Sequence, residues 1–213
     1  MDSAAIARNV RALKTLTPPA TRLMAVVKAD GYGHGALTAA KAALSAGADC
    51  LGVATVAEGV ALREAGVTVP VHLLAEPPAE AAAAVVEHAL TPTVTTMPFA
   101  AELGRAAVAA GCVASYHLKL DTGMNRIGFR AEEAAEVATG LRCIAGISLE
   151  GVFTHFATAD TPGDWEFDRQ VERFDAALGD LRDNGVRPGL VHAANSAATI
   201  LHPRTHHDLV RCG

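Results

Sequence analysis

The chain has 213 residues, of which 50% are hydrophobic and 4% are aromatic, and its formal net charge at pH 7 is −5. This length allows one large domain with a sizeable core. The acidic balance excludes the basic surface of a nucleic-acid-binding protein, and no basic run is long enough to bind an anionic membrane surface.

The cysteines and the hydropathy pattern indicate a cytoplasmic protein. Cys50, Cys112, Cys143 and Cys212 lie far apart and form no CxxC pair, which argues against a zinc site and against a disulfide framework. We therefore expect free thiols in a reducing compartment. No apolar run approaches the ~20 residues that span a bilayer, and no secretory signal is expected at the N-terminus.

The first predicted element is a helix capped by Asp2 or Ser3, with Ile6, Val10 and Leu13 on one face. Eight apolar runs typical of buried strands follow, at residues 23–29, 50–55, 69–74, 91–95, 116–121, 151–156, 190–194 and 209–211. Helical stretches alternate with them, for example at residues 36–46, 56–65, 79–89 and 165–183. Glycines stand where helix C-caps are expected, at Gly47, Gly66, Gly111 and Gly185.

Eight strands in strict alternation with helices predict an α/β protein of the (β/α)8 barrel type, with residues 1–213 forming one barrel domain that ends at or near the eighth strand. An open doubly wound sheet has the same local pattern, so the sequence leaves that architecture open. In strand 116–121, alternation puts His117, Lys119 and Asp121 on one face, which we expect to be the barrel interior.

Polar side chains collect at the predicted carboxyl ends of the strands. They are Lys28, Lys119, Asp121, His155, Asn195 and Ser196, with Arg211 inside the eighth strand. In a barrel these ends share one face, where catalytic residues are placed. A structural salt-bridge network would explain one or two of these residues, but it explains five strand ends less easily.

Lys28 follows an apolar strand and precedes a glycine-rich segment. An amine there suits a Schiff base with a carbonyl cofactor, although a lone strand lysine is more often ion-paired or solvated at its tip. The glycines at 31, 33 and 35 do not fit a dinucleotide loop, because the third comes one residue too early for G-x-G-x-x-G.

Five segments in order resemble the alanine racemases, and together they cover nearly the whole chain. They are AVVKADGYGHG (25–35), LKLDTGMNRIGF (118–129), GVFTHFATAD (151–160), HAANSAAT (192–199) and DLVRCG (208–213). The resemblance implies a barrel followed by a separate β-domain, a homodimer, and pyridoxal 5′-phosphate as cofactor. It also implies interconversion of L- and D-alanine, with D-alanine used in cell-wall synthesis.

The resemblance also assigns roles to individual residues. Lys28 carries the cofactor and acts as one of two bases at the substrate α-carbon. Tyr32, Ser196 and Gly213 match contacts to the cofactor phosphate, and Asn195 is a further expected cofactor contact.

Three more matches concern the cofactor ring. His155 packs against it, and Arg211 faces the pyridine nitrogen with His192 as its hydrogen-bonding neighbour. An arginine cannot readily give up a proton, so it leaves that nitrogen unprotonated. Arg126 matches the contact to the phenolic oxygen and the substrate carboxylate. Lys119 matches a lysine that is carbamylated in many relatives and then pairs with Arg126.

The chain departs from the family pattern in three respects. Asp30 stands where many relatives carry asparagine, and Cys212 replaces a frequent proline. The family's second base is a tyrosine from the partner's C-terminal domain, and neither Tyr32 nor Tyr116 fits that role. We therefore expect the C-terminal β-domain to be absent from this chain, and the chain alone to be a poor racemase.

Three other functions have some support in the sequence or its length. A single-domain pyridoxal-phosphate carrier has a similar length but a different lysine segment, and a racemase of broader specificity stays possible. Related decarboxylases set a carboxylate against the pyridine nitrogen, which Arg211 contradicts. His202, His206 and His207 lack the carboxylate–histidine spacing of a metal site, so no metal is expected.

Overall fold

The computed structural model describes residues 2–213 and shows nine parallel strands. They are β1 (Arg22–Val26), β2 (Cys50–Val53), β3 (Val71–Leu73), β4 (Thr93–Val94), β5 (Ala114–Asp121), β6 (Phe129–Arg130), β7 (Ile147–Phe153), β8 (Leu190–His192) and β9 (Leu209–Cys212). Pairing gives the strand orders β3-β2-β1-β9 and β4-β5-β7-β8, with β6 paired only to the end of β5.

Backbone hydrogen bonds join the two groups of strands at both seams. Between β3 and β4, the Leu73 N–H donates to the Thr91 carbonyl, and the Thr91 N–H donates to the Val71 carbonyl, each over 2.9 Å. Between β8 and β9, the Arg211 N–H donates to the Ala194 carbonyl over 3.0 Å. The eight main strands therefore close, and the predicted (β/α)8 barrel is confirmed.

Besides short 3₁₀ turns, nine α-helical segments lie before or between the strands, and the second of them is a single left-handed turn. They are α1 (Ser3–Thr15), α2 (Lys28–Tyr32), α3 (Ala36–Ser45), α4 (Val56–Glu64), α5 (Ala82–Glu87), α6 (Met97–Ala109), α7 (Ala134–Arg142), α8 (Trp165–Asp183) and α9 (Ser196–Leu201). Asp2 caps α1 by accepting from the Ala5 N–H, and the bounds of α8 are those expected from its apolar stripe. No helix within residues 2–213 is both long and apolar enough to cross a membrane.

The main core lies between the strands and the surrounding helices. Alternate strand residues such as Leu23, Leu51 and Val152 are fully buried in it. The side chains on the other face of the strands fill the barrel interior. There, Met24, Cys50 and Leu209 form a separate apolar cluster. Because Tyr116, Leu118 and Leu120 belong to the helix-facing core, His117 and Lys119 point into the interior.

The structure corrects several predicted boundaries. The first strand ends at Val26 instead of continuing to Ala29, and the helix predicted at 79–89 is a 3₁₀ turn (Ala79–Ala81) followed by α5. Strand β7 begins at Ile147, four residues before the predicted start at 151. The two-residue strand β6 was not predicted. Gly128 (φ +132°), immediately before it, comes so close to β5 that a Cβ there would lie 2.8 Å from the Asp121 nitrogen.

Candidate active site

The polar strand ends meet around one cavity of about 410 Å³ at the carboxyl end of the barrel. Four basic side chains line it, from separate segments of the chain: Lys28, Lys119, Arg126 and Arg211. His155, Asn195, Ser196, Tyr32 and Gly213 line it as well. No aspartate or glutamate side chain is among the described residues that line this cavity, so the site is suited to an anionic ligand.

Lys28 lies in a left-handed turn rather than at the end of a strand. Ala29, Asp30 and Tyr32 have φ values of 52°, 51° and 54°, and Gly31 between them has 61°. Such a backbone costs about 1–2 kcal/mol for each residue that is not glycine. The turn is held by the Gly31 N–H, which donates to the Val27 carbonyl, and by the Asp30 carboxylate, which accepts from the Ala36 N–H. The Lys28 ammonium lies 5.9 Å from the centre of the Tyr32 ring.

Ser196 and Gly213 meet at another wall of the cavity. The Gly213 N–H donates to the Ser196 hydroxyl over 3.2 Å, which joins the start of α9 to the end of β9. A Cβ at Gly213 would lie 2.9 Å from the Val26 carbonyl oxygen and 3.0 Å from the Tyr32 ring, so only glycine fits there without movement. The N-cap of α9 is Asn195. Its carboxamide oxygen accepts from the Ala198 N–H, and its amide nitrogen donates to the Phe156 carbonyl.

Arg211 is buried at the centre of a hydrogen-bond network. Its guanidinium donates to His192 Nδ1 over 2.9 Å, to the Thr154 carbonyl over 2.8 Å and to the Ala193 carbonyl over 3.0 Å. His155 Nδ1 lies 3.3 Å from the same guanidinium. Burial lowers the pKa of Arg211 to about 10, so it remains charged at neutral pH.

The network continues across the barrel through residues that the sequence analysis did not assign. Arginine only donates, so His192 must accept at Nδ1 and carry its proton on Nε2. His192 Nε2 lies 2.8 Å from His117 Nδ1, which must then be the acceptor. The other nitrogen of His117 lies 3.7 Å from the Glu150 carboxylate, an ion-pair distance. Donation therefore runs from Arg211 through His192 to His117, and His117 Nε2 has no hydrogen-bond partner among the described residues.

His192 and His155 are neutral in this arrangement. Burial lowers the pKa of His192 well below its ordinary value, and the charge on Arg211 lowers it further. The same two causes, in the same order, lower the pKa of His155 to about 3. Because both rings are neutral, each can accept a hydrogen bond from Arg211 at Nδ1 without placing a second positive charge beside the guanidinium.

Lys119 is buried beside two arginines. Burial lowers the pKa of Lys119 to about 7, and the charges of Arg211 and Arg126 lower it in the same direction. Its ammonium lies 4.9 Å from the centre of the Phe153 ring, and the Arg211 guanidinium carbon lies 5.3 Å from the same ring. Phe153, also not assigned from the sequence, therefore packs against both of these basic groups. Asp121 is the last residue of β5, and its carboxylate accepts from the Gly123 and Asn125 N–H groups of the following loop.

The C-terminal histidines have separate partners. His202 Nε2 lies 3.1 Å from the Ala159 carbonyl, and His206 Nε2 lies 2.9 Å from the Thr199 carbonyl. The His207 ring packs edge-on against Phe174. Within residues 2–213, no three histidine, cysteine or carboxylate side chains come together as a set that could hold a metal ion.

The burial of His72 leads us to expect that the stability of the protein depends on pH, whether or not a ligand is bound. It is buried, its ring centre lies 4.5 Å from that of His117, and burial followed by His117 lowers its pKa well below 6.5. Below pH 6.5 the unfolded chain binds a proton at this position and the folded protein does not, so stability falls as the pH falls. We expect this residue to contribute a loss of at most about 2 kcal/mol between pH 6.5 and pH 5.

The measurement is urea unfolding of wild type and His72→Leu at both pH values. Leucine should make the loss of stability smaller by that amount, while His34→Leu, which alters a histidine outside this cluster, should leave it unchanged. An identical pH dependence in wild type and His72→Leu would contradict a neutral buried His72.

The comparisons with known proteins agree with this geometry. The family model described as "Alanine racemase, N-terminal domain" matches residues 1–213. An alanine racemase of Symbiobacterium thermophilum is 46% identical over all of this chain, which spans 56% of that protein. The alanine racemase of Clostridium difficile 630 in complex with cycloserine superposes with a TM-score of 0.94 at 35% identity, over 100% of this chain and 58% of that one.

A further solved structure is similar to the same extent. The alanine racemase of Bacillus anthracis with bound L-Ala-P gives a TM-score of 0.93 at 37% identity, again over 100% of this chain and 55% of that one. The chain thus spans a little over half the length of these relatives. Because the family model and the superpositions both cover it from end to end, the chain belongs to the alanine racemase N-terminal domain family.

Proposed function

We propose that this chain is the pyridoxal-phosphate-binding barrel of an enzyme that interconverts L- and D-alanine, with Lys28 as the residue that carries the cofactor. The observation that carries the proposal is the cavity in which Lys28, Arg126 and Arg211 converge without an acidic side chain. A relative of the same fold has bound L-Ala-P, which supports a small alanine-like substrate. In the cytoplasm, the product D-alanine would serve cell-wall synthesis.

The residues present fit the cofactor. Its phosphate requires donors and close backbone approach, and the position of Gly213 beside Ser196 and Tyr32 leaves no room for a side chain. Tyr32, Ser196 and Gly213 would hold the phosphate, and Asn195 would fix the segment beside them. His155 would lie against the ring, and Arg211 would face the pyridine nitrogen. When bound, pyridoxal phosphate withdraws electrons from the substrate α-carbon.

The chain's own residues would divide the remaining work. The Lys28 amine would take or return the proton at the alanine α-carbon from one side. Arg126 would hold the substrate carboxylate, because a guanidinium binds a carboxylate through two parallel hydrogen bonds. Arg211 would stay charged and keep its proton. The second base would be a tyrosine of a partner subunit in a homodimer, contributed by sequence outside this chain.

The test is D/L-alanine exchange measured in parallel on two polypeptides. A protein that continues past Gly213 into the C-terminal β-domain should racemise alanine, and the 213-residue chain should do so much more slowly. Equal rates would overturn the role of an outside tyrosine. Absence of alanine exchange in the longer protein, with exchange of another amino acid, would overturn the choice of substrate.

Lys119 suggests a modification that would complete the site. Its pKa of about 7 leaves much of the amine uncharged at neutral pH, and an uncharged amine can attack carbon dioxide. The nitrogen forms a bond to carbon, one proton is released, and the product is a carbamate anion. We propose this carbamate as the partner of Arg126, because it would turn a repulsion between two cations into an ion pair.

Carbamylation predicts a measurable signal. Protein incubated with ¹³C-bicarbonate should show one carbamate carbon resonance, which Lys119→Arg removes and Lys41→Arg keeps. Lys41 is the matched control because it is exposed on α3. A wild-type spectrum without a resonance that depends on Lys119 would contradict the modification.

A further inference from the structure

A carboxylate from the neighbouring loop supports the strained turn that carries Lys28. Glu58, in the first turn of α4, accepts a hydrogen bond at Oε1 from the Ala29 N–H over 2.6 Å. Its other oxygen, Oε2, accepts from the Ala54 N–H over 2.7 Å and from the Thr55 N–H over 3.1 Å. Glu58 thus links the loop after β1 to the loop after β2.

The two carboxylate oxygens of Glu58 accept hydrogen bonds from different segments of the chain. Oε2 belongs to a capping box at the start of α4, in which the Thr55 hydroxyl accepts from the Glu58 N–H in return. Glutamine serves in a capping box as well as glutamate does. The contact with Ala29 is additional, and it requires a second acceptor oxygen. Glutamine would place its amide there, as a donor facing a donor.

We propose that Glu58 is a positioning residue for Lys28. It holds the amide immediately after the lysine, in a turn whose non-glycine residues Ala29, Asp30 and Tyr32 all have positive φ. Without this acceptor, the left-handed conformation loses one of its restraints, and the lysine amine is no longer held toward the cavity. The proposal rests on the function assigned to Lys28 above.

The chain offers variants that separate positioning from helix capping. Glu58→Gln keeps the capping box and removes the acceptor for Ala29. Thr55→Ala removes the capping hydroxyl and leaves the Glu58–Ala29 contact in place. The cap loss should lower the midpoint of thermal unfolding by about 2–4 °C, so Thr55→Ala is a control for a purely structural effect.

Two measurements on the full chain decide the matter. Hydrogen exchange by NMR should show the Ala29 amide exchanging about tenfold faster in Glu58→Gln, as expected for loss of a hydrogen bond to a charged group. The rate of covalent pyridoxal-phosphate attachment at Lys28, followed by absorbance, should fall about tenfold in the same variant, because a misplaced nucleophile reacts slowly. Thr55→Ala should resemble wild type in both.

Each outcome has one meaning. Wild-type exchange and attachment in Glu58→Gln would overturn the proposal, and so would an equal loss of attachment in Thr55→Ala. If wild type itself attached no pyridoxal phosphate, the proposed function would fail. The positioning claim would then be decided by Ala29 exchange and by the φ angle of Ala29 from its amide coupling constant, with a change in Glu58→Gln supporting it.

Discussion

Lys28→Ala is expected to abolish covalent attachment of pyridoxal phosphate. A Schiff base requires a primary amine that reaches the bound aldehyde, and the chain has only four lysines, Lys14, Lys28, Lys41 and Lys119. Lys14 pairs with Asp49 outside the barrel, and Lys41 is exposed on α3. Only Lys28 and Lys119 line the cavity. The expected result is loss of the visible Schiff-base band and of the borohydride-trapped label.

Two further variants make this result specific. Lys28→Arg keeps the positive charge but has no nucleophilic amine, so it should also lose the band. Lys41→Ala should keep the band. Peptide mapping after reduction should place the wild-type label on Lys28. A band that persists in Lys28→Ala would mean that Lys119 carries the cofactor and that the central assignment is wrong.

The fold could be predicted from sequence because its signals are local. The eight strand runs and the stripe of α8 depend on neighbouring residues, and the barrel brings all carboxyl ends of the strands to one face. That rule alone places Lys28, His155 and Arg211 near one another, and the structure finds them around one cavity.

The geometry of the Lys28 turn could not be predicted in the same way. Alanine and aspartate prefer the right-handed or extended backbone, so the apolar run before Lys28 predicts a strand that continues to Ala29. Three acceptors hold the left-handed turn in place. Glu58 accepts from the Ala29 N–H, the Val27 carbonyl accepts from the Gly31 N–H, and Asp30 accepts from the Ala36 N–H that follows the turn. Glu58 is distant in sequence and belongs to an ordinary capping motif, so its second contact leaves no signal in the sequence.

The pairing of His117 with His192 has a different origin. These residues lie on β5 and β8 and meet inside the barrel. Their contact depends on closure and on the register of β5, which shifts between Tyr116 and His117. The alternation within β5 did indicate that His117 faces inward. Its partner could be identified only in three dimensions.

The largest effect on stability is expected from Arg211→Leu. This variant removes the donors that satisfy His192 Nδ1 and the carbonyls of Thr154 and Ala193, all of which are buried. A buried acceptor that loses its partner costs about 1–3 kcal/mol. Because three such acceptors lose their donors together, we expect the free energy of unfolding to fall by about 3–5 kcal/mol. Urea unfolding at pH 7 measures it, with Arg142→Leu on the exposed side of α7 as the control, expected within about 0.5 kcal/mol of wild type.

Arg211→Lys separates the charge of this side chain from its shape. Lysine keeps the positive charge, but its ammonium cannot reproduce the planar set of donors that reaches three acceptors at once. If the planar set of guanidinium donors holds the network, Arg211→Lys should lose most of the stability that Arg211→Leu loses. The ¹⁵N spectrum of His192 should then also change, because Nδ1 is released from its donor and the proton on Nε2 is no longer fixed. Near-wild-type stability in Arg211→Lys, with an unchanged His192 spectrum, would show that charge alone holds this side of the cavity.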